Sequence, residues 1–169
     1  MLPEELSNGL CSLRPGEDKL CMSVIFTLTH DARVVKYKVC RTGIRSDFRL
    51  AYEQAQAIIM NRPCPEAESP QLTEAIKALH LMAVILRRQR MEAGALEIEQ
   101  EEIKFKLDEH GHPVDIWFQK PMEANHLIEE FMLLANRTVA THIGRTGKEM
   151  VYRVHDKPDE EKLASLRRF

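Results

Sequence analysis

Two adjacent carboxylates, Glu129 and Glu130, stand in the middle of an otherwise apolar run, residues 124–136. A carboxylate in such a setting calls for a partner, such as a cation, a hydrogen-bond donor or a ligand. The run reads as a helix, and a helix turns by about 100° per residue, so neighbouring glutamates cannot share a face. Leu127, Ile128, Phe131, Met132, Leu134 and Ala135 cover most of the remaining circumference. At least one of the two carboxylates is therefore expected to be partly buried, and a buried carboxylate requires a partner. The simplest partner is internal, a salt bridge to Arg137 or His126; a bound ligand is the other.

A second set of residues is basic and aromatic. Arg33, Lys36, Lys38, Arg41, Arg45 and Arg49 are interleaved with Tyr37, Phe48 and Tyr52. Cations track phosphates and rings stack on bases, at about 1–3 kcal/mol per base, which suits single-stranded nucleic acid. A solvated strand face with ordinary core aromatics produces the same pattern. Phe105, between Lys104 and Lys106, has the same two readings, because it also fits the apolar face of a hairpin. The acidic run Glu97, Glu99, Glu101 and Glu102 reads as a solvated face rather than a metal site. His110 and His112 fall in a glycine-containing turn, and His155-Asp156 resembles half of a catalytic pair, although Asp156 has a simpler use as a helix cap. A metal site made of Glu129, Glu130 and Asp156 is disfavoured, since the first two diverge on their helix. There is no glycine-rich phosphate loop and no nucleophile elbow.

The elements that must position these residues alternate in type. Residues 1–20 are rich in turn formers and read as an ordered loop. Residues 22–29 and 35–39 alternate apolar with polar side chains about a polar turn at residues 30–33, which predicts an antiparallel hairpin. Residues 47–60 read as a helix, and residues 61–69 as a loop and the most flexible point. Ser69-Pro70 is a good helix start and Gly94 a good stop, with Ile76, Leu79, Ala83 and Leu86 as the apolar stripe between them. A second hairpin pairs residues 103–107 with 114–118. The glutamate helix should run from Pro121 to Gly144, followed by a short strand over residues 150–155 and a last helix capped by Asp156. Two antiparallel hairpins with three to four helices make an α+β arrangement.

Composition sets the outer bounds. The chain has 169 residues, 44% hydrophobic and 30% charged, with a formal net charge of −2. That is one domain's worth of globular sequence, with no overall field that would mark a nucleic-acid binder, so any such role needs a local patch. Cys11, Cys21, Cys40 and Cys64 have no zinc-type spacing and read as reduced thiols. The start lacks a signal-peptide pattern, and the longest apolar stretch, residues 81–86, is too short to span a bilayer. A cytoplasmic chain without a membrane partner is expected.

Several blocks carry a resemblance. Leu2-Pro-Glu-Glu-Leu-Ser-Asn-Gly-Leu-Cys-Ser-Leu13 followed by Asp18-Lys-Leu-Cys-Met22 resembles the central catalytic domain of the ribonuclease II/ribonuclease R (RNB) family. So do Arg49-Leu-Ala-Tyr52, Leu127-Ile-Glu-Glu-Phe-Met-Leu-Leu-Ala-Asn136 and Tyr152-Arg-Val-His-Asp-Lys-Pro158. The blocks keep the family's order from end to end, and the His-Asp-Lys-Pro ending leans toward the ribonuclease R branch.

The resemblance implies a processive 3′→5′ exoribonuclease that releases nucleoside 5′-monophosphates, with a divalent metal, usually Mg2+, held by an aspartate cluster. Single-stranded RNA would enter a channel and stack its last bases between rings. By motif match, Tyr52 corresponds to a tyrosine that contacts the terminal nucleotides, and Phe105 to the ring that clamps the last base. One of Glu129 and Glu130 corresponds to a glutamate on the 3′-terminal nucleotide, with Glu130 favoured. The family's aspartate cluster lies upstream of the Leu2-Pro3-Glu4 block and an arginine-rich catalytic segment downstream; residues 1–169 hold neither, nor the flanking oligonucleotide-binding barrels. The chain is thus expected to be an internal piece of the nuclease domain, itself inactive and binding no Mg2+, with Mg2+ belonging to the intact parent. Exposed apolar surface could make it dimerise artificially. The competing expectation is a stand-alone, degenerate relative that serves as a non-catalytic RNA-binding or scaffold module.

Overall fold

The computed structural model describes residues 2–96, 101–154 and 156–168, so Glu97, Glu99 and His155 lie outside the described residues. Eight regular elements follow one another: β1 (Asp18–Leu28), β2 (Val34–Arg45), α1 (Tyr52–Ile59), α2 (Pro70–Glu92), β3 (Glu102–Leu107), β4 (Pro113–Gln119), α3 (Glu123–Thr146) and α4 (Glu160–Leu166). The strands form two separate antiparallel hairpins, β1–β2 and β3–β4. This is the α+β arrangement that the alternation of patterns predicts. The chain divides into two compact units, residues 1–135 and 136–169.

In the first unit, β1 and β2 pair from Asp18↔Arg45 to Leu28↔Val34, longer than the alternation alone indicates. Their turn is closed by the Thr29 N–H donating to the Arg33 carbonyl at 3.0 Å, with Ala32 in the left-handed region at φ 59°. The covered face changes side along the hairpin. Lys19, Cys21, Ser23, Cys40, Thr42 and Ile44 are half-buried at the open end, whereas Val24, Phe26, Tyr37 and Val39 are half-buried toward the turn. Strand twist makes such a change possible. It leaves Leu20 94% and Met22 69% exposed on the opposite side.

The helices form around few fully buried residues: Ile58 in α1, Ala83 in α2, and Ala124 and Leu127 in α3. Helix α2 begins as its signals require, with the Ser69 hydroxyl accepting from the Leu72 N–H at 3.4 Å and Pro70 in the first turn, and it stops before Gly94 at φ 94°. Helix α1 is shorter than the predicted 47–60. The preceding segment is tied elsewhere, by Gly16 N–H to the Ser46 carbonyl at 2.8 Å and by the Ser46 hydroxyl to the Phe48 carbonyl at 3.0 Å. Ala51 remains extended, and the Gln54 side chain accepts from its N–H at 2.6 Å, so the first turn starts at Tyr52. Gln56 then accepts from the Ala124 N–H at 3.0 Å, joining α1 to the start of α3. Residues expected to form an opening loop contain a π-helical turn at Glu5–Leu10, and the 61–69 connection contains a 3-10 turn at Pro65–Glu68.

The second hairpin is pinned by its turn. Asp108 accepts from the His110 N–H at 2.9 Å and from the His112 N–H at 2.8 Å, while Gly111 takes φ 84°. Ile103, Phe105, Ile116 and Phe118 form an apolar ladder on one face, each more than half exposed.

In the second unit three expectations are corrected. Helix α3 passes Gly144 and ends before Gly147, which has φ 66°. A glycine inside a helix costs only about 1 kcal/mol, and here Gly144 leaves space for the Tyr152 hydroxyl, 3.1 Å from where a Cβ would stand. Residues 150–154 form no strand: a strand needs a neighbouring ladder, and Tyr152 instead donates to the Ala140 carbonyl at 3.5 Å. The cap of α4 is Asp159 rather than Asp156, because its carboxylate is the one in reach of the Glu161 and Lys162 N–H groups, at 2.9 and 3.0 Å.

Two outcomes follow from this architecture. Ile58→Ala should cost about 2–5 kcal/mol by urea denaturation, since the side chain is 1% exposed, while Leu20→Ser should change stability by no more than about 0.5 kcal/mol. For Asp108, the hydrogen bond from the His112 N–H, with that from His110, outweighs desolvation and lowers its pKa below the ordinary 3.8. A lowered carboxylate contributes stability above its unfolded pKa and loses it as pH falls through the folded one. Amide-exchange protection of His110 and His112 should therefore be full near neutrality and decline only once the pH falls below the ordinary carboxylate range.

Candidate RNA-contact site

Helix α3 divides its residues by the 3.6-residue period. Ala124, Leu127 and Ile128 face a hollow of about 670 Å³ between α1, α2 and α3. Tyr52, the first residue of α1, lines that hollow together with Phe48 and is 45% exposed. Two residues further along α3, Glu130 turns to α2 and is 4% exposed, while Glu129 is 47% exposed.

The partner of the buried carboxylate is Arg90 near the end of α2, where the sequence pointed to Arg137 or His126. Arg90 Nε donates to Glu130 Oε1 at 3.0 Å and Oε2 at 3.3 Å, and Nη2 donates to Glu130 Oε1 at 2.6 Å. The same Nη2 donates to Glu129 Oε1 at 3.1 Å. His126 is close to the second carboxylate only, with Nδ1 3.5 Å from Glu129 Oε2. The hydrogen bond to Glu130 raises the Arg90 pKa further above its ordinary value, against the opposing effect of burial, and the two carboxylate charges add to it. The cation is permanent in this setting.

Arg90 escaped the sequence reading, although a signal for it was present. The α2 stripe of Ile76, Leu79, Ala83 and Leu86 continues by the same spacing to position 90, so a cation occupies a core-facing place. A cation on one core stripe and a carboxylate on another call for each other.

The remaining sites are separate. Phe105 stands on the apolar ladder of β3, opposite Ile116 and 53% exposed, and lines neither hollow bordered by α3. The basic run does not form one stripe. Arg33 pairs with Asp31 at 2.7 Å and Arg45 with Asp18 at 2.9 Å. Lys36 and Lys38 share one exposed face of β2, while Arg41, of opposite parity, faces the other way. A second hollow of about 390 Å³, between α2 and the start of α3, is bordered by His80, Arg87, Arg88, Glu123 and His126.

Among the described residues no group of three or more His, Cys, Asp or Glu side chains is placed to hold a metal ion. The nearest carboxylate pair is engaged by Arg90, so these residues do not fit a Mg2+ centre. Among the described residues no helix is long and apolar enough to cross a membrane.

The profile of the RNB domain matches residues 1–169. The chain is 40% identical over 166 residues to ribonuclease R of Aquifex aeolicus, covering 98% of this chain and 24% of that protein. It is 42% identical over 170 residues to ribonuclease R of Thermotoga maritima, covering 100% and 24%. The structure of Mycoplasma genitalium RNase R in complex with ribose-methylated single-stranded RNA superposes with a TM-score of 0.85 at 30% identity, over 98% of this chain and 26% of that one. The chain thus spans about a quarter of the length of the relatives it matches.

Glu130→Gln should destabilise the chain by about 1–3 kcal/mol in urea, because it weakens the hydrogen-bonded anchor of a partly buried cation. Glu129→Gln should cost less than about 1 kcal/mol, as expected for an exposed pair.

Proposed function

Because the chain belongs to the RNB family, we propose that it is part of a processive 3′→5′ hydrolytic exoribonuclease that releases nucleoside 5′-monophosphates from single-stranded RNA. The observation that carries this reading is the family match over every residue of the chain, joined to the likeness with an RNase R that was captured on RNA. In this reading Tyr52, Phe105 and the Glu129-Glu130 pair lie along the RNA path near the 3′ end. Tyr52 and Phe105 are each about half exposed, so their rings have surface to offer to bases. A carboxylate accepts hydrogen bonds only, and the donors RNA can bring to it are ribose hydroxyls and base amino groups.

Hydrolysis belongs to the remainder of the parent protein. A divalent metal held by the parent protein would supply activation of water and stabilisation of the departing oxygen there. The present residues bind and orient the strand and carry no turnover of their own. The setting of the parent enzyme is cytoplasmic.

The test is degradation of single-stranded RNA with Mg2+, run on this chain and on a version extended in both directions to the length of the relatives. Mononucleotide release by the extended protein alone is the expected result. Turnover by the isolated chain would overturn its assignment as a non-catalytic part. Failure of both, with RNA still bound, would favour a non-catalytic RNA-binding module.

A further inference from the structure

We infer that His110 and His112, in the β3–β4 turn, form an open site for a borderline divalent cation such as Zn2+. The site is independent of the RNA-path reading and uses two histidines that the reading leaves without a role.

The turn brings the two rings together. Gly111, at φ 84°, reverses the chain between them, and the ring centroids stand 6.4 Å apart. A Zn–N bond of about 2.0–2.1 Å sets a ring centre roughly 3 Å from the ion, so two rings on one ion stand about 5–6 Å apart. Both histidines are exposed, and a small rotation of the His110 side chain closes the difference. The backbone beneath them is already fixed. The Asp108 N–H donates to the His112 carbonyl at 2.9 Å, and the Gly111 N–H donates to the Asp108 carbonyl at 3.1 Å. Asp108 Oδ1 accepts from the N–H groups of both histidines.

Orientation marks His112 as a ligand. Its Nδ1 lies 3.3 Å from Asp108 Oδ2. An ionised carboxylate only accepts, so Nδ1 carries the proton and the lone pair stays on Nε2, across the ring. A carboxylate set behind an imidazole in this way fixes its tautomer and raises the basicity of the ligating nitrogen. Charge agrees, because residues 107–119 carry Asp108, Glu109 and Asp115 and neither lysine nor arginine. Imidazole suits zinc, copper and nickel, whereas Mg2+ takes oxygen ligands. Two protein ligands leave the remaining positions to water, which makes the ion exchangeable. An ion joining the residues on either side of Gly111 clamps the turn that sets the register of β3 and β4, and Phe105 is carried on that hairpin.

The test is a titration of the chain with Zn2+, followed by histidine side-chain 1H–15N NMR, with Mg2+ run in parallel. The Nε2 resonances of His110 and His112 should move together in a single saturable step, and excess Mg2+ should leave them in place. His110→Gln and His112→Gln should each weaken that step by more than about tenfold. Asp108→Asn keeps one oxygen for the backbone N–H groups but loses the anionic acceptor of Nδ1, and it should weaken Zn2+ by about tenfold. Zn2+ should also slow amide exchange at His112 in the wild type and leave it unchanged in His110→Gln. Movement of other histidines with these two unmoved would overturn the inference. So would unchanged affinity in either glutamine variant, or an equal response to Mg2+. Unchanged affinity in Asp108→Asn would remove Asp108 as the residue that positions His112.

Discussion

The buried contact between Arg90 and Glu130 is the constraint around which the helical part of the first unit is arranged. A carboxylate that is 4% exposed is tolerable only if its oxygens are satisfied, and Arg90 satisfies both. The pair fixes where the end of α2 lies relative to α3, because a hydrogen-bonded fork has little positional freedom. With that crossing set, Ala83 and Leu127 border the same hollow, and Ala124 and Leu127 also border the one that Tyr52 lines. A hydrophobic pair in place of Arg90 and Glu130 could give equal or greater stability. What it could not give is a cation that reaches across to Glu129.

The hairpins solve a different problem. A two-stranded sheet is only marginally stable by itself. The β1–β2 hairpin covers part of each face by changing its covered side along its length. The β3–β4 hairpin leaves its apolar ladder open and takes its register from the turn, through the Asp108 carboxylate and Gly111. Local turn chemistry does there what core packing does for the helices, and Phe105 is carried on the result.

How far the sequence could be read depended on whether each signal was local. Both ends of α2 were legible because Ser69, Pro70 and Gly94 act within one turn of the helix they bound. Both hairpins were legible through alternation and turn residues. Helix α1 was overextended because what keeps residues 46–51 out of it is a tie from Ser46 back to Gly16, a contact with no local signature. Asp156 and Asp159 are equally good caps on paper, and only geometry separates them. The need of a buried glutamate for a partner could be read from apolar crowding alone, but the identity of that partner required the packing of α2 against α3.

The distribution of the candidate residues bears on what they can do. Hydrolysis needs groups that converge on one reacting phosphate within hydrogen-bond reach. Tyr52 begins α1, Phe105 stands on β3, and Glu129 projects from α3 beside Arg90. The period of α3 sends Ile128 toward the Tyr52 hollow and Glu130 toward α2, leaving Glu129 as the exposed member of its pair. Convergence of that kind is a matter of distance in space, whatever number of elements contributes the groups. A single-stranded polymer has no such requirement, since successive nucleotides can meet successive side chains, each ring taking a base and each acceptor a donor group. A scaffold that holds one carboxylate and leaves two rings half exposed suits the proposed role of holding a strand.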